Sequence, residues 1–242
     1  ATLRIEHPIC RGYYCCIDGR NKKVSPETIA ALKKRMQEII AADMPIVSEE
    51  KQTPTVIEMF RERGEMDKVI LLETLGISYA RFVRIGDFVD YYNGVLVPST
   101  SYVPLFDLQS YSNGILLRVP DRHAPDKLAE YEDQSKMFEV FNEFVKWNKL
   151  MDLSNVGDFN LRAREKNVYN MIKISEALHE RKIVEIADMI HERQPISRFI
   201  MISGPSSSGK TTFSKRLSVQ LMVAGLKPIV LSLDNYFVNR VD

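Results

Sequence analysis

Residues 198–233 set the tightest limit on what this chain can fold into. Arg198-Phe199-Ile200-Met201-Ile202-Ser203 is a short β-forming run, and it leads into Gly204-Pro205-Ser206-Ser207-Ser208-Gly209-Lys210-Thr211-Thr212. That stretch fits Gly-x-x-x-x-Gly-Lys-Ser/Thr at every defined position. Phe213, Leu217 and Leu221 follow at helical spacing. After Gly225 and Pro228 comes a second apolar run, Ile229-Val230-Leu231-Ser232-Leu233. Strand, glycine-rich loop, helix and strand predict the opening of a parallel α/β sheet, because a helical crossover returns the chain parallel to the strand it left. A mere Gly/Ser linker fits poorly between two apolar runs.

Charge explains the composition of the loop. A triphosphate carries several negative charges that must be held without intervening water. Gly204 and Gly209 let the backbone curl so that successive N–H groups, those of Ser206, Ser207 and Ser208 among them, point at phosphate oxygens. A helix opening at Lys210 and running through Thr211 and Thr212 adds the positive end of its dipole. The Lys210 ammonium reaches the β- and γ-phosphates, and the Thr211 hydroxyl is the expected Mg²⁺ ligand. The expected cofactor is therefore ATP or GTP with Mg²⁺. Asp234 follows the second run, and beyond the carboxyl end of a parallel strand it would face the same crevice. It can take a proton from an attacking hydroxyl, hold Mg²⁺ through water, or simply cap the next turn. Tyr236 and Phe237 offer rings for a base.

Composition narrows the partners. With 33 basic and 32 acidic residues the net charge is +1, which argues against nucleic acid or an anionic membrane as the main partner. The apolar runs are far shorter than a membrane span requires, and no secretory leader opens the chain, so a cytoplasmic location is expected. Cys10, Cys15 and Cys16 are odd in number and lack a second ligand pair, so they read as reduced thiols packed in a strand. The four histidines are scattered.

Upstream of the loop the pattern is α+β. Leu3 to Glu6 and Tyr13 to Ile17 look extended, with Asp18-Gly19 as a turn. Ser25-Pro26 starts a helix whose apolar face is Ile29, Leu32, Met36, Ile39 and Ile40. Thr53-Pro54 starts another, with Ile57 and Phe60 inward and Gly64 ending it. Arg81 to Ile85 alternates as a strand, Phe88 to Tyr92 is rich in β-formers, and turn residues punctuate the chain to Val119. Pro120 to Asp133 reads as a linker or a surface excursion. An aromatic-striped helix near Ser135 to Leu150 and charged helices across about Leu161 to Arg193 follow. The expected organisation is an α+β domain over 1–120, a helical connector over 121–194, and the start of an α/β domain over 195–242.

Two family resemblances attach to these residues. Ser203 to Arg240, with Gly-Pro-Ser-Ser-Ser-Gly-Lys-Thr-Thr and Leu-Ser-Leu-Asp-Asn-Tyr-Phe, resembles the uridine kinase and phosphoribulokinase family. The resemblance implies a P-loop nucleoside kinase in which Asp234 is the general base and Lys210 assists the transferred phosphoryl group. It implies a nucleoside substrate, with oligomerisation left open. The family's Walker B carboxylate, lid arginines and base-recognition residues come later in its fold, so this piece alone is expected to be inactive.

Val56 to Thr100, with Ile57-Glu58-Met59-Phe60, Arg63-Gly64-Glu65, Gly86-Asp87-Phe88-Val89-Asp90 and Val97-Pro98-Ser99-Thr100, is similar to the editing domain of threonyl-tRNA synthetases. In that family the segment after the Val-Asp pair carries an editing cysteine and histidine. Tyr92 and Leu96 stand at those positions, and neither can ligate a metal or carry a proton. The resemblance therefore implies the fold without the editing chemistry. Two alternatives to the kinase remain: an RNA- or nucleotide-binding regulatory module bearing a phosphate loop, and a P-loop NTPase.

Overall fold

The computed structural model describes residues 3–17, 23–165, 168–236 and 238. The chain divides into two compact units, residues 1–164 and 165–242.

The first unit opens with a hairpin of β1 (Leu3–Ile9) and β2 (Gly12–Ile17). Cys10 and Arg11 turn it, both at positive φ (51° and 56°), the geometry whose twist matches the flanking strands. The Cys10 N–H donates to Gln134 Oε1 at 2.9 Å. The Asp18-Gly19 turn lies outside the described residues. With β6 (Asp107–Tyr111) and β7 (Gly114–Arg118) the hairpin forms an antiparallel sheet of order β1-β2-β7-β6.

Period-two alternation gives this sheet two apolar faces, and each is covered by a helix. On one side Cys15, Leu108 and Ile115 meet Val24 and Ile29, Leu32 and Met36 of α1 (Pro26–Ala41). The Ser25 hydroxyl caps α1 by accepting from the Thr28 N–H, and Pro26 occupies the first turn. On the other side Ile9, Cys10, Tyr14 and Leu116 meet Phe138 and Phe141 of α4 (Ser135–Leu150).

A second antiparallel sheet has the order β3 (Val47–Gln52), β4 (Tyr79–Ile85), β5 (Phe88–Asp90). Its apolar side packs on α2 (Thr53–Glu62) and α3 (Met66–Leu75). Phe60 and Phe82 are both 0 % exposed there, among Val56, Val69, Leu72, Ala80 and Val89. α5 (Val156–Arg164) lies along α3, and Arg164 donates to the carbonyls of Glu73 and Thr74 at the C-terminal end of α3, where carbonyls lack helical partners.

The second unit is built on α6 (Val168–Glu192) and α7 (Lys210–Val223). Ile183 and Ala187 interlock with Leu217 and Leu221, and Glu180 on α6 accepts from Arg216 Nε at 3.0 Å and from Gln220 at 2.6 Å.

Here the expected parallel sheet is corrected. Among the described residues every strand pairing is antiparallel, and neither 198–203 nor 229–233 forms a strand. Phe199, Met201 and Ile229 are about nine-tenths exposed. A strand needs neighbours to take up its N–H and C=O groups, and without them β-forming composition alone leaves irregular backbone. The molecule is a mixed α/β protein with antiparallel sheets. Among the described residues no helix is long and apolar enough to cross a membrane.

Candidate functional site

Two places are candidates for a site, one in each unit. In the first, β5 delivers Asp90 to the foot of α3, and Lys68 projects from the first turn of that helix. Lys68 Nζ lies 2.7 Å from Asp90 Oδ1, pairs closely with Glu65, and sits 5.4 Å from the centre of the Phe60 ring. Asp90 Oδ1 also accepts from the Tyr91 N–H at 2.7 Å, and Arg63 reaches Glu65 at 3.2 Å. Burial works against the charge on Lys68, but hydrogen bonds and attraction from Asp90 and Glu65 outweigh it and raise its pKa above the ordinary lysine value. The ammonium therefore stays charged and cannot act as a general base. Sequence reasoning missed this network, because Asp90 reaches the local Glu65–Lys68 pair only through the packing of β5 near α3.

Beyond Asp90 the chain enters an irregular segment. Tyr92 folds its ring onto Gly94 so closely that a Cβ there would fall 2.6 Å from Cε1, and Leu96 stands half exposed. A phenol and a branched alkyl chain thus occupy the positions where the resemblance puts the cysteine and histidine. Among the described residues no cluster of histidine, cysteine, aspartate and glutamate suits a metal ion. What this corner presents is a charged network of Lys68, Glu65 and Asp90 beside an irregular segment.

In the second unit residues 204–209 form an exposed loop ahead of α7. Ser207 (φ 60°) and Gly209 (φ 81°) adopt left-handed backbone, which for Gly209 carries no side-chain penalty. Gly204 passes close to the Ser208 hydroxyl, and the Ser208 N–H donates to the Pro205 carbonyl at 3.3 Å. Lys210 folds back over the loop, its Nζ donating to the carbonyls of Gly204 (2.9 Å) and Pro205 (2.7 Å). Thr211 and Thr212 are exposed in the first turn of α7, whose start has no side-chain cap, so its leading N–H groups lack an internal acceptor. Gly204, Ser208 and Lys210 are therefore gathered, with Ser206 and Ser207 on the rim. Asp234 is in a separate exposed turn, Leu233–Tyr236, and among the described residues no hydrogen bond or ion pair joins it to the loop. Phe237 lies outside the described residues.

No protein-family model matches the chain. Similar curated proteins are threonine–tRNA ligases. That of Syntrophotalea carbinolica is 34% identical over 132 residues, 51% of this chain and 20% of the ligase. That of Geobacter sp. strain M21 is 34% identical over 110 residues, 46% of this chain and 17% of the ligase. That of Carboxydothermus hydrogenoformans is 34% identical over 108 residues, 44% and 17% respectively. The chain spans about a fifth of the length of the curated relatives it matches. These relatives overturn the expectation of a nucleoside kinase acting on a nucleoside substrate, along with the argument against nucleic acid as a partner. Near-zero net charge failed as a guide because charge averaged over a whole chain does not describe one face. What the matches support, over about half of the chain, is a threonyl-tRNA synthetase-like part with the editing-like fold.

Proposed function

We propose that the chain serves an aminoacyl-tRNA synthetase-related function, its first unit engaging tRNA as an editing-like module that lacks hydrolytic groups. The similarity to threonine–tRNA ligases over half of the chain carries this reading. The Lys68–Asp90 network and the substitution of Tyr92 and Leu96 support its non-hydrolytic character. In a filter-binding assay the protein is expected to retain a threonine-accepting tRNA, with affinity falling steeply as salt rises because phosphate contacts release counterions. It is expected to leave an aminoacyl-tRNA ester intact at the spontaneous rate. Absence of salt-sensitive binding overturns the tRNA reading, and accelerated ester cleavage overturns the non-hydrolytic one.

For the second unit, the loop geometry supports a phosphate-bearing ligand, ATP with Mg²⁺ being the reading that fits the donors present. Gly204, Ser206, Ser207, Ser208, Gly209, Lys210, Thr211 and Thr212 would cradle phosphates, and the Thr211 hydroxyl would meet the metal. Asp234 would stand in the metal's water shell; its role as base has no place once the nucleoside acceptor is gone. When bound, the metal would neutralise phosphate charge. Lys210→Ala is expected to weaken Mg²⁺–ATP binding by about ten- to a hundredfold, the worth of charge-assisted hydrogen bonds, with the melting curve unchanged. Titration calorimetry showing equal affinity removes the lysine from the site.

A further inference from the structure

His7 occupies an unusual place at the interface between α4 and the first sheet. The β1–β2 register shifts between Ile5 and His7, a bulge that makes Glu6 the extra residue and sets His7 opposite Tyr14. The imidazole stacks on Phe141 with centroids 4.3 Å apart and planes 26° from parallel. Tyr14 and Phe138 close the box at 5.5 and 5.9 Å. Its Nε2 is buried and has no hydrogen-bond partner. A neutral ring tolerates this as an unused acceptor. A protonated ring must put an N–H there with nothing to receive it, in a cluster made mostly of aromatic carbon.

We propose that His7 makes the seating of α4 on the first sheet sensitive to acid: the helix docks over a neutral imidazole and is released when that ring takes up a proton. The groups facing the ring are few. Its own strand contributes Glu6 and, further along, Arg4; β2 contributes Tyr14 and Cys16, whose thiol donates to Glu6 Oε1 at 2.9 Å. α4 presents Phe138 and Phe141, and its Lys149 lines a small cavity of about 50 Å³ with Arg4 and Glu6. Burial pulls the imidazole below its ordinary value of 6.5, and Glu6 opposes this without reversing it. With the docked state holding fewer protons, docking is favoured at neutral pH and weakens as pH falls below 6.5. The undocking constant rises by up to about tenfold per pH unit until the docked imidazole itself titrates.

Trp147 is the only tryptophan of the chain and lies in α4, so it reports on this helix alone. Between pH 7 and pH 5, its emission is expected to shift to the red and its quenching by acrylamide to rise. In His7→Phe, which keeps the ring stack and removes the titration, both should stay flat. Should that variant fail to fold, NMR titration of the wild-type His7 ring decides: a midpoint below 6.5 that coincides with the Trp147 transition sustains the proposal. A midpoint at or above 6.5, or identical Trp147 profiles for wild type and His7→Phe, overturns it.

Discussion

Truncating Phe60 to alanine is expected to lower stability by about 3–5 kcal/mol, read from urea unfolding followed by circular dichroism. Phe60 is fully buried between α2 and the second sheet, against Phe82, Val69 and Leu72. Its removal forfeits the transfer energy of a whole ring and leaves a void that close-packed neighbours cannot refill. Phe144 on α4 is 61% exposed, and its truncation should stay within about 0.5 kcal/mol. Similar losses at both positions would mean that the second sheet has no specific core. The Phe60 ring also lies under Lys68, so the truncation should loosen the Lys68–Asp90 pair as well.

The other large effect is expected at Gly114, where β7 begins. A Cβ there would fall 2.3 Å from the Cys15 carbonyl oxygen and 2.7 Å from the Tyr14 ring. The first obstacle is backbone of the central pairing in the first sheet, so it cannot rotate away. Gly114→Val should therefore cost about 3 kcal/mol, at the upper end for overpacking, and hydrogen exchange should show β2 and β7 deprotected together. Protection lost only at the Ser112–Asn113 turn would refute the backbone clash. Because the same sheet carries His7 on its α4 side, this variant should also change the Trp147 signal at neutral pH.

Local signals made the first unit partly legible. Ser25-Pro26 marked the start of α1, and the three- and four-residue spacing of Ile29, Leu32 and Met36 marked its inner face. The alternation from Arg81 to Ile85 marked β4. β3 was not visible: Val-Ser-Glu-Glu-Lys-Gln has no apolar alternation. It is a strand because β4 offers a ladder, with Arg84 meeting Glu49 at 2.6 Å. α3, apolar over most of its surface, carried no readable face because it packs against α2 on one side and α5 on another.

In the second unit the motif located the loop and the start of α7 at Lys210, since both depend on glycine and helix-start chemistry that is local. It did not determine a sheet. Residues 198–203 and 229–233 have the composition of strands, yet strand formation is a property of neighbours, and these segments have no described partner. The candidate site in the first unit shows the same division. That Tyr92 and Leu96 stand where the resemblance puts a cysteine and a histidine could be read from residue identity alone. The Glu65–Lys68 pair is local, but the meeting of Lys68 with Asp90 was a matter for the tertiary structure, because charges 22 positions apart are paired by packing and not by any local preference.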